Sequence, residues 1–181
     1  MLKIVTAPDE VLGKRAKEFD FSKNKKSLPK ILKDMEKALL SASDPKGVGL
    51  AAPQVGLSLA IFMAKPTDKA KTSVFINPVI LEIDKLEKKS KKRVKKLEGC
   101  LSLPNIWGEV LRAPSVKLSY FDKDGNLNIK KFDGFMATII QHETDHLNGV
   151  LFPKHVLEQK GKLYKSYKNT EGEDEFEELV I

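Results

Sequence analysis

Phe135-Met136-Ala137-Thr138-Ile139-Ile140-Gln141-His142-Glu143-Thr144-Asp145-His146-Leu147 is the stretch on which the fold turns. Phe135, Ile139, His142 and His146 recur at helical spacing and share one stripe. Asp133 suits the N-cap of such a helix, and Asn148-Gly149 suits its end, with glycine just past the last turn. Two imidazoles four positions apart then lie one turn from each other on the same face, with Glu143 beside them. The stripe predicts that the face carrying the imidazoles is also the buried face. Two buried imidazoles and a carboxylate are costly there without a partner, and a metal ion is such a partner.

On either side of this helix the pattern is mainly one of strands. Leu28 to Leu40 reads as a second helix, with Pro29 in its first turn and Ile31, Leu32, Met35, Ala38 and Leu39 on one face. It should end before the breaker cluster Pro45-Lys46-Gly47. Leu57 to Ala64 and Ser73 to Ile83 read as strands, and Asn77-Pro78 marks an edge or a bend in the second. In Ser115 to Phe121, Val116, Leu118 and Tyr120 share one face. Asp122-Lys123-Asp124-Gly125 is a turn signal, and Leu127 to Phe132 returns as the hairpin partner. The tail from Leu163 to Ile181 reads as two short strands joined near Thr170-Glu171-Gly172. The class is α+β: short, mainly antiparallel strands and sheets packed around a central helix carrying HExxH.

A length of 181 residues, with 41% hydrophobic, predicts a single catalytic domain over 1–181 with a real core. One cysteine excludes an internal disulfide framework and points to a reducing compartment. There is no signal-peptide run at the start and no stretch of ~20 apolar residues, so a cytoplasmic protein that does not span a membrane is expected. The net charge of +7 is uneven. Lys85 to Lys96 is rich in lysine, whereas Glu171 to Glu178 is acidic. The basic run reads either as a solvated loop or strand edge, or as a patch that meets RNA or an acidic surface. No aromatic residue lies within it, so base stacking is not supported.

The third ligand decides the kind of site. In one large metalloprotease group a third histidine follows six residues after the second; here that position is Phe152, which cannot bind metal. His155 reads as a surface or core histidine, and Glu158 is a possible downstream ligand. Cys100, in Glu98-Gly99-Cys100-Leu101-Ser102, is the better candidate, although a free cysteine is often only a small buried hydrophobe. A thiolate and two imidazoles would leave a tetrahedral position open, as catalytic sites do. A third unusual segment is Gly47-Val48-Gly49-Leu50-Ala51-Ala52-Pro53-Gln54-Val55-Gly56. Its glycines allow close backbone approach, and Gln54 can donate through its amide to an oxyanion.

Taken in order, Gly47 to Gln54, Glu98 to Ser102 and His142 to His146 match the three motifs of the peptide deformylases, GxGLAAxQ, EGCxS and HExDH. The chain closely resembles that family from Pro8-Asp9 to about Phe152. The resemblance implies removal of the formyl group from the N-formylmethionine of new polypeptides, releasing formate. It implies one divalent metal held by Cys100, His142 and His146, usually Fe2+, with Zn2+, Ni2+ or Co2+ compatible with the same donors. Glu143 would carry the water proton to the leaving nitrogen, and Gln54 with the Leu101 backbone N–H would stabilise the oxyanion. Substrate would lie extended along Val48, Gly49 and Gly99, with Phe135, Thr138 and Ile139 lining the methionine pocket. Two rivals stand beside this reading. One is a metalloendopeptidase, which would cleave unformylated internal bonds. The other is a basic module that binds ribosomal RNA; contact with the ribosome through Lys85 to Lys96 is also compatible with an enzyme.

Overall fold

The computed structural model describes residues 2–42, 46–84 and 96–180. The first helices are α1 (Phe21–Asn24) and α2 (Leu28–Ser41), the latter opening with Pro29 in its first turn. The strands β1 (Gly49–Ala51), β2 (Ile61–Ala64), β3 (Ser73–Ile83), β4 (Lys96–Cys100), β5 (Leu103–Val110), β6 (Ser115–Phe121) and β7 (Leu127–Asp133) follow. Then come α3 (Gly134–Leu147), α4 (Phe152–Glu158), β8 (Leu163–Lys168) and β9 (Asp174–Leu179). Among the described residues the strands form two antiparallel sheets, of order β1-β2-β3-β6-β7 and β4-β5-β8-β9. The class is therefore α+β. Among the described residues no helix is long and apolar enough to cross a membrane.

The larger sheet is covered on both faces at β1 and β2, whereas β7 and the second half of β3 are largely exposed. β2 reads Ile-Phe-Met-Ala without a polar residue because each face meets its own core. Ile61 and Met63 pack with Met35 and Leu39 of α2. Phe62 and Ala64 pack with Ile139 and Ile140 of α3, and with Phe75 and Leu118. β2 is shorter than the predicted strand from Leu57. Ala60 O still accepts from Asn77 N–H of β3 at 2.7 Å, but Ala60 N–H bonds Lys17 O at 2.7 Å and Ser58 O accepts from Lys17 N–H, so the chain before Ala60 pairs with the N-terminal segment. The smaller sheet carries a third core, in which Phe152 and Val156 of α4 meet Val110 and Leu163.

Asn77-Pro78 bends β3 without making it an edge, since β3 lies between β2 and β6. Asn77 has φ 49°, and the pairing with β6 shifts register between Ile76 and Val79. The asparagine side chain closes the bend. Its Oδ1 accepts from Phe19 N–H at 2.7 Å, and its Nδ2 donates to Phe19 O at 2.9 Å. The β6–β7 hairpin turns where the sequence signalled it. Asp122 Oδ1 accepts from the backbone of Asp124 and Asn126, and Gly125 takes φ 86°. Asp133 stands at the α3 N-cap position without a side-chain capping bond, and α3 ends at Asn148 with Gly149 at φ 70°. A methyl group on Gly149 would stand 2.7 Å from the backbone of Gly13, so close approach also requires glycine there.

Asn77→Ala is expected to lower stability by about 2–3 kcal/mol in urea unfolding. Two hydrogen bonds to Phe19 are lost at about 1 kcal/mol each, and alanine is strained at this φ. Asn77→Gly should lose about 1 kcal/mol less, because it removes the bonds but not the left-handed backbone.

Candidate metal centre

The site forms where the two sheets meet α3. Glu98 and Cys100 lie two apart on β4, so their side chains project to the same side. At Gly99/Cys100 the pairing with β5 shifts register. Cys100 is buried, and its Sγ lies 3.2 Å from His146 Nε2. The His142 and His146 rings are 5.0 Å apart, as expected one helical turn from each other. One ligand atom from each of Cys100, His142 and His146 can be chosen so that all lie within 4.8 Å of one another. Among the described residues no other such group is found. Phe152, at the position of the absent third histidine, stacks on His142 with centroids 6.3 Å apart. His155 and Glu158 lie outside the group.

Gln54 belongs to a short 3-10 turn after β1. Its Oε1 accepts from Ala51 N–H at 2.9 Å, which turns Nε2 toward Cys100 Sγ at 3.5 Å. Glu143 is buried, and its Oε2 has no hydrogen-bond partner. Burial pushes its carboxyl up to about 7. Gly49 lies against this carboxylate so closely that a Cβ would collide with it.

Behind the imidazoles lies a buried ionic network that sequence reading missed. His142 Nδ1 meets Glu98 Oε2 at 3.1 Å. Arg112 grips both oxygens of Glu98, at 2.8 and 3.0 Å, and donates to Asp145 Oδ2 at 2.6 Å. Burial alone would raise the Glu98 pKa, but the bonds from His142 and Arg112 outweigh it and bring it to about 2. The shared face of Glu98 and Cys100 was a readable signal for Glu98. Nothing in the spacing tied Arg112 to it.

A cavity of about 350 Å³ opens over these groups. Val48, Gly49, Gly99, Phe135, Thr138 and Ile139 line it, as do Leu101 and the unforeseen Lys46, Leu97 and Trp107. Phe135 departs from the predicted buried stripe: it is 49% exposed, because the first turn of α3 stands at the cavity rim. Thr138 Oγ1 bonds back to Gly134 O at 3.5 Å, so its hydroxyl turns to its own helix. Gly99 packs on Trp107, whose ring would stand 2.9 Å from any Cβ there.

The donor set fits a divalent cation. A thiolate and two imidazoles suit late first-row metals. Burial lowers the affinity of His142 for a proton, yet Cys100 and Glu98 outweigh it and hold the ring well above its usual range.

The polypeptide deformylase family matches residues 1–162 of the chain. A peptide deformylase from Borreliella burgdorferi is 38% identical over 173 residues, covering 94% of this chain and 98% of that protein. Peptide deformylase 1 from Bacillus cereus is 42% identical over 161 residues, covering 86% of this chain and 92% of that protein. The crystal structure of peptide deformylase from Thermotoga maritima has a TM-score of 0.74 at 36% identity, covering 86% of this chain and 97% of that one.

Glu98 links the site to stability. Its folded pKa lies below the usual value of 4.5, so the stabilisation is present above about 4.5 and is lost as pH falls toward about 2. For the metal-free protein this loss should be on the order of 3 kcal/mol. Urea unfolding from pH 6 to pH 2 should show it in the wild type. Glu98→Gln should be less stable at pH 6, with a shallower decline through that window.

Proposed function

The chain belongs to the polypeptide deformylase family, and we propose that Cys100, His142 and His146 are its metal ligands, Glu143 its proton carrier, and Gln54 with the Leu101 amide its oxyanion donors. The protein is a metal-dependent hydrolase that removes the N-formyl group from newly made polypeptides, releasing formate and a free amino terminus. The observation that carries the assignment of residues is their convergence. Three ligand atoms lie within 4.8 Å of one another, beneath one cavity that Gln54 and Glu143 also line.

When bound there, a divalent ion supplies Lewis acidity and brings the pKa of a bound water toward neutral. The protein's own groups do the rest. Glu143 takes a proton from the attacking water and returns it to the nitrogen that leaves as the new amino terminus. The Glu143 carboxylate is buried and its Oε2 has no other hydrogen-bond partner, so that oxygen is free for this transfer. Gln54 is held by Ala51 N–H, so its Nε2 is available at the sulfur side of the site to meet the charge that develops on the formyl oxygen.

The peptide lies extended against Val48, Gly49 and Gly99, and the methionine side chain enters beside Phe135, Thr138 and Ile139. Fe2+ is the proposed metal, with Zn2+, Ni2+ or Co2+ compatible with the donors. The whole chain serves as one catalytic domain built around α3 and works in the cytoplasm. The lysine-rich run from 85 to 96 supports a contact with the ribosome by its charge alone; apart from Lys96 it lies outside the described residues. Neutralising those lysines should weaken ribosome binding and leave cleavage of a short formyl peptide intact.

Anaerobically prepared, metal-loaded protein is expected to release formate from formyl-Met-Ala-Ser and to leave unformylated peptides uncut. Glu143→Ala should keep its metal and lose about 10²–10⁴ in kcat. Gln54→Ala should lose about 10²–10³. No formate from a metal-loaded wild type would reject the assignment, and cleavage of an internal peptide bond would favour an endopeptidase.

A further inference from the structure

The third histidine of the chain, His155, lies on α4 and takes no part in the reaction described above. Its Nε2 stands 2.8 Å from Asp145 Oδ2, and its Nδ1 stands 3.5 Å from Glu158 Oε2. A carboxylate only accepts, so Nε2 is the donor to Asp145. The same Asp145 oxygen accepts from Arg112 Nη1 at 2.6 Å. Arg112 in turn grips Glu98, and Glu98 meets His142 Nδ1 at 3.1 Å. His155 is thus the outer end of an unbroken line of hydrogen bonds that ends on a proposed metal ligand. The line begins at a surface cavity of about 450 Å³, where the His155 side chain is 25% exposed, and passes inward to Arg112 at 9% and Glu98 at 7%.

We propose that His155 is a positioning residue for the metal centre: its bond to Asp145 keeps that carboxylate on Arg112, and so keeps Glu98 aimed at His142. The charge balance supports this. One guanidinium faces two carboxylates, so Asp145 holds its place more firmly with a second donor on the same oxygen. α3 and α4 are coupled through this contact rather than through packing alone. A partner that fixes a ligand's second nitrogen sets the orientation and basicity of that ligand. The inference rests on reading Cys100, His142 and His146 as the metal ligands.

The test compares the full chain with His155→Leu, His155→Ala and His155→Gln. The readouts are cobalt(II) affinity by chelator competition, the visible spectrum of the cobalt form, and urea unfolding of the metal-free protein. Leu and Ala, which lack the donor, should weaken cobalt binding by roughly three- to tenfold, less than the 10–100-fold typical of a direct partner. Both should shift the cobalt bands, and both should lower kcat on a formyl peptide with KM little changed. Gln offers an N–H near the place of Nε2 and should return the affinity to within about twofold of wild type. Wild-type affinity and spectrum in Leu and Ala, with only urea stability reduced, would assign His155 to packing and overturn the proposal. So would a Gln variant as weak as Leu. A wild type that binds no cobalt would instead overturn the ligand assignment on which the proposal rests.

Discussion

A sulfur and two imidazole nitrogens gathered within 4.8 Å, with Cys100 and His146 buried and His142 largely so, form an arrangement that folding disfavours unless something compensates for it. Much of the rest of the structure can be understood from that constraint. α3 must present His142 and His146 on its inner face, so Asn148 and Gly149 end it close to the Gly13 backbone. β4 must deliver Cys100 to the same point, and it does so at the register shift after Gly99. β1 must bring backbone against Glu143, where only Gly49 fits.

Neither sheet holds the site alone. The four-stranded sheet carries Cys100 and Glu98; the turn after the first strand of the five-stranded sheet carries Gln54; α3 carries both imidazoles and Glu143. What locks the parts together is Arg112, between β5 and β6, which ties Glu98 on one element to Asp145 on another. Two carboxylates around one buried guanidinium stabilise only while every member is paired, because removal of one leaves a buried charge without its partner. The same network that closes the fold therefore fixes the ring of His142.

The helix with its histidine pair, the hairpin around Asp122-Gly125 and the strand from Ser73 to Ile83 were legible because each has a local cause: a 3.6-residue stripe, a turn-forming cluster, a β-rich run. The residues placed at the cavity from motif order do line it. What was not legible depends on distant partners. Asn77 read as an edge or bend, yet its bend is set by the backbone of Phe19, 58 residues away. β1, β4 and β5 are short or irregular, and no alternation announces them. Phe135 fits the apolar stripe, but it lies at a cavity mouth that only the assembled sheets create. Arg112 carries no motif, since its role follows from where Glu98 and Asp145 come to rest.

X-ray absorption at the metal edge of the zinc-loaded protein tests the central claim most directly, because it reads the donor atoms themselves. One zinc per chain with a single sulfur at about 2.3 Å and two imidazole nitrogens at about 2.0–2.1 Å is the expected result. That sulfur should vanish in Cys100→Ser. A shell of nitrogen and oxygen alone, or zinc bound equally well without Cys100, would contradict the account.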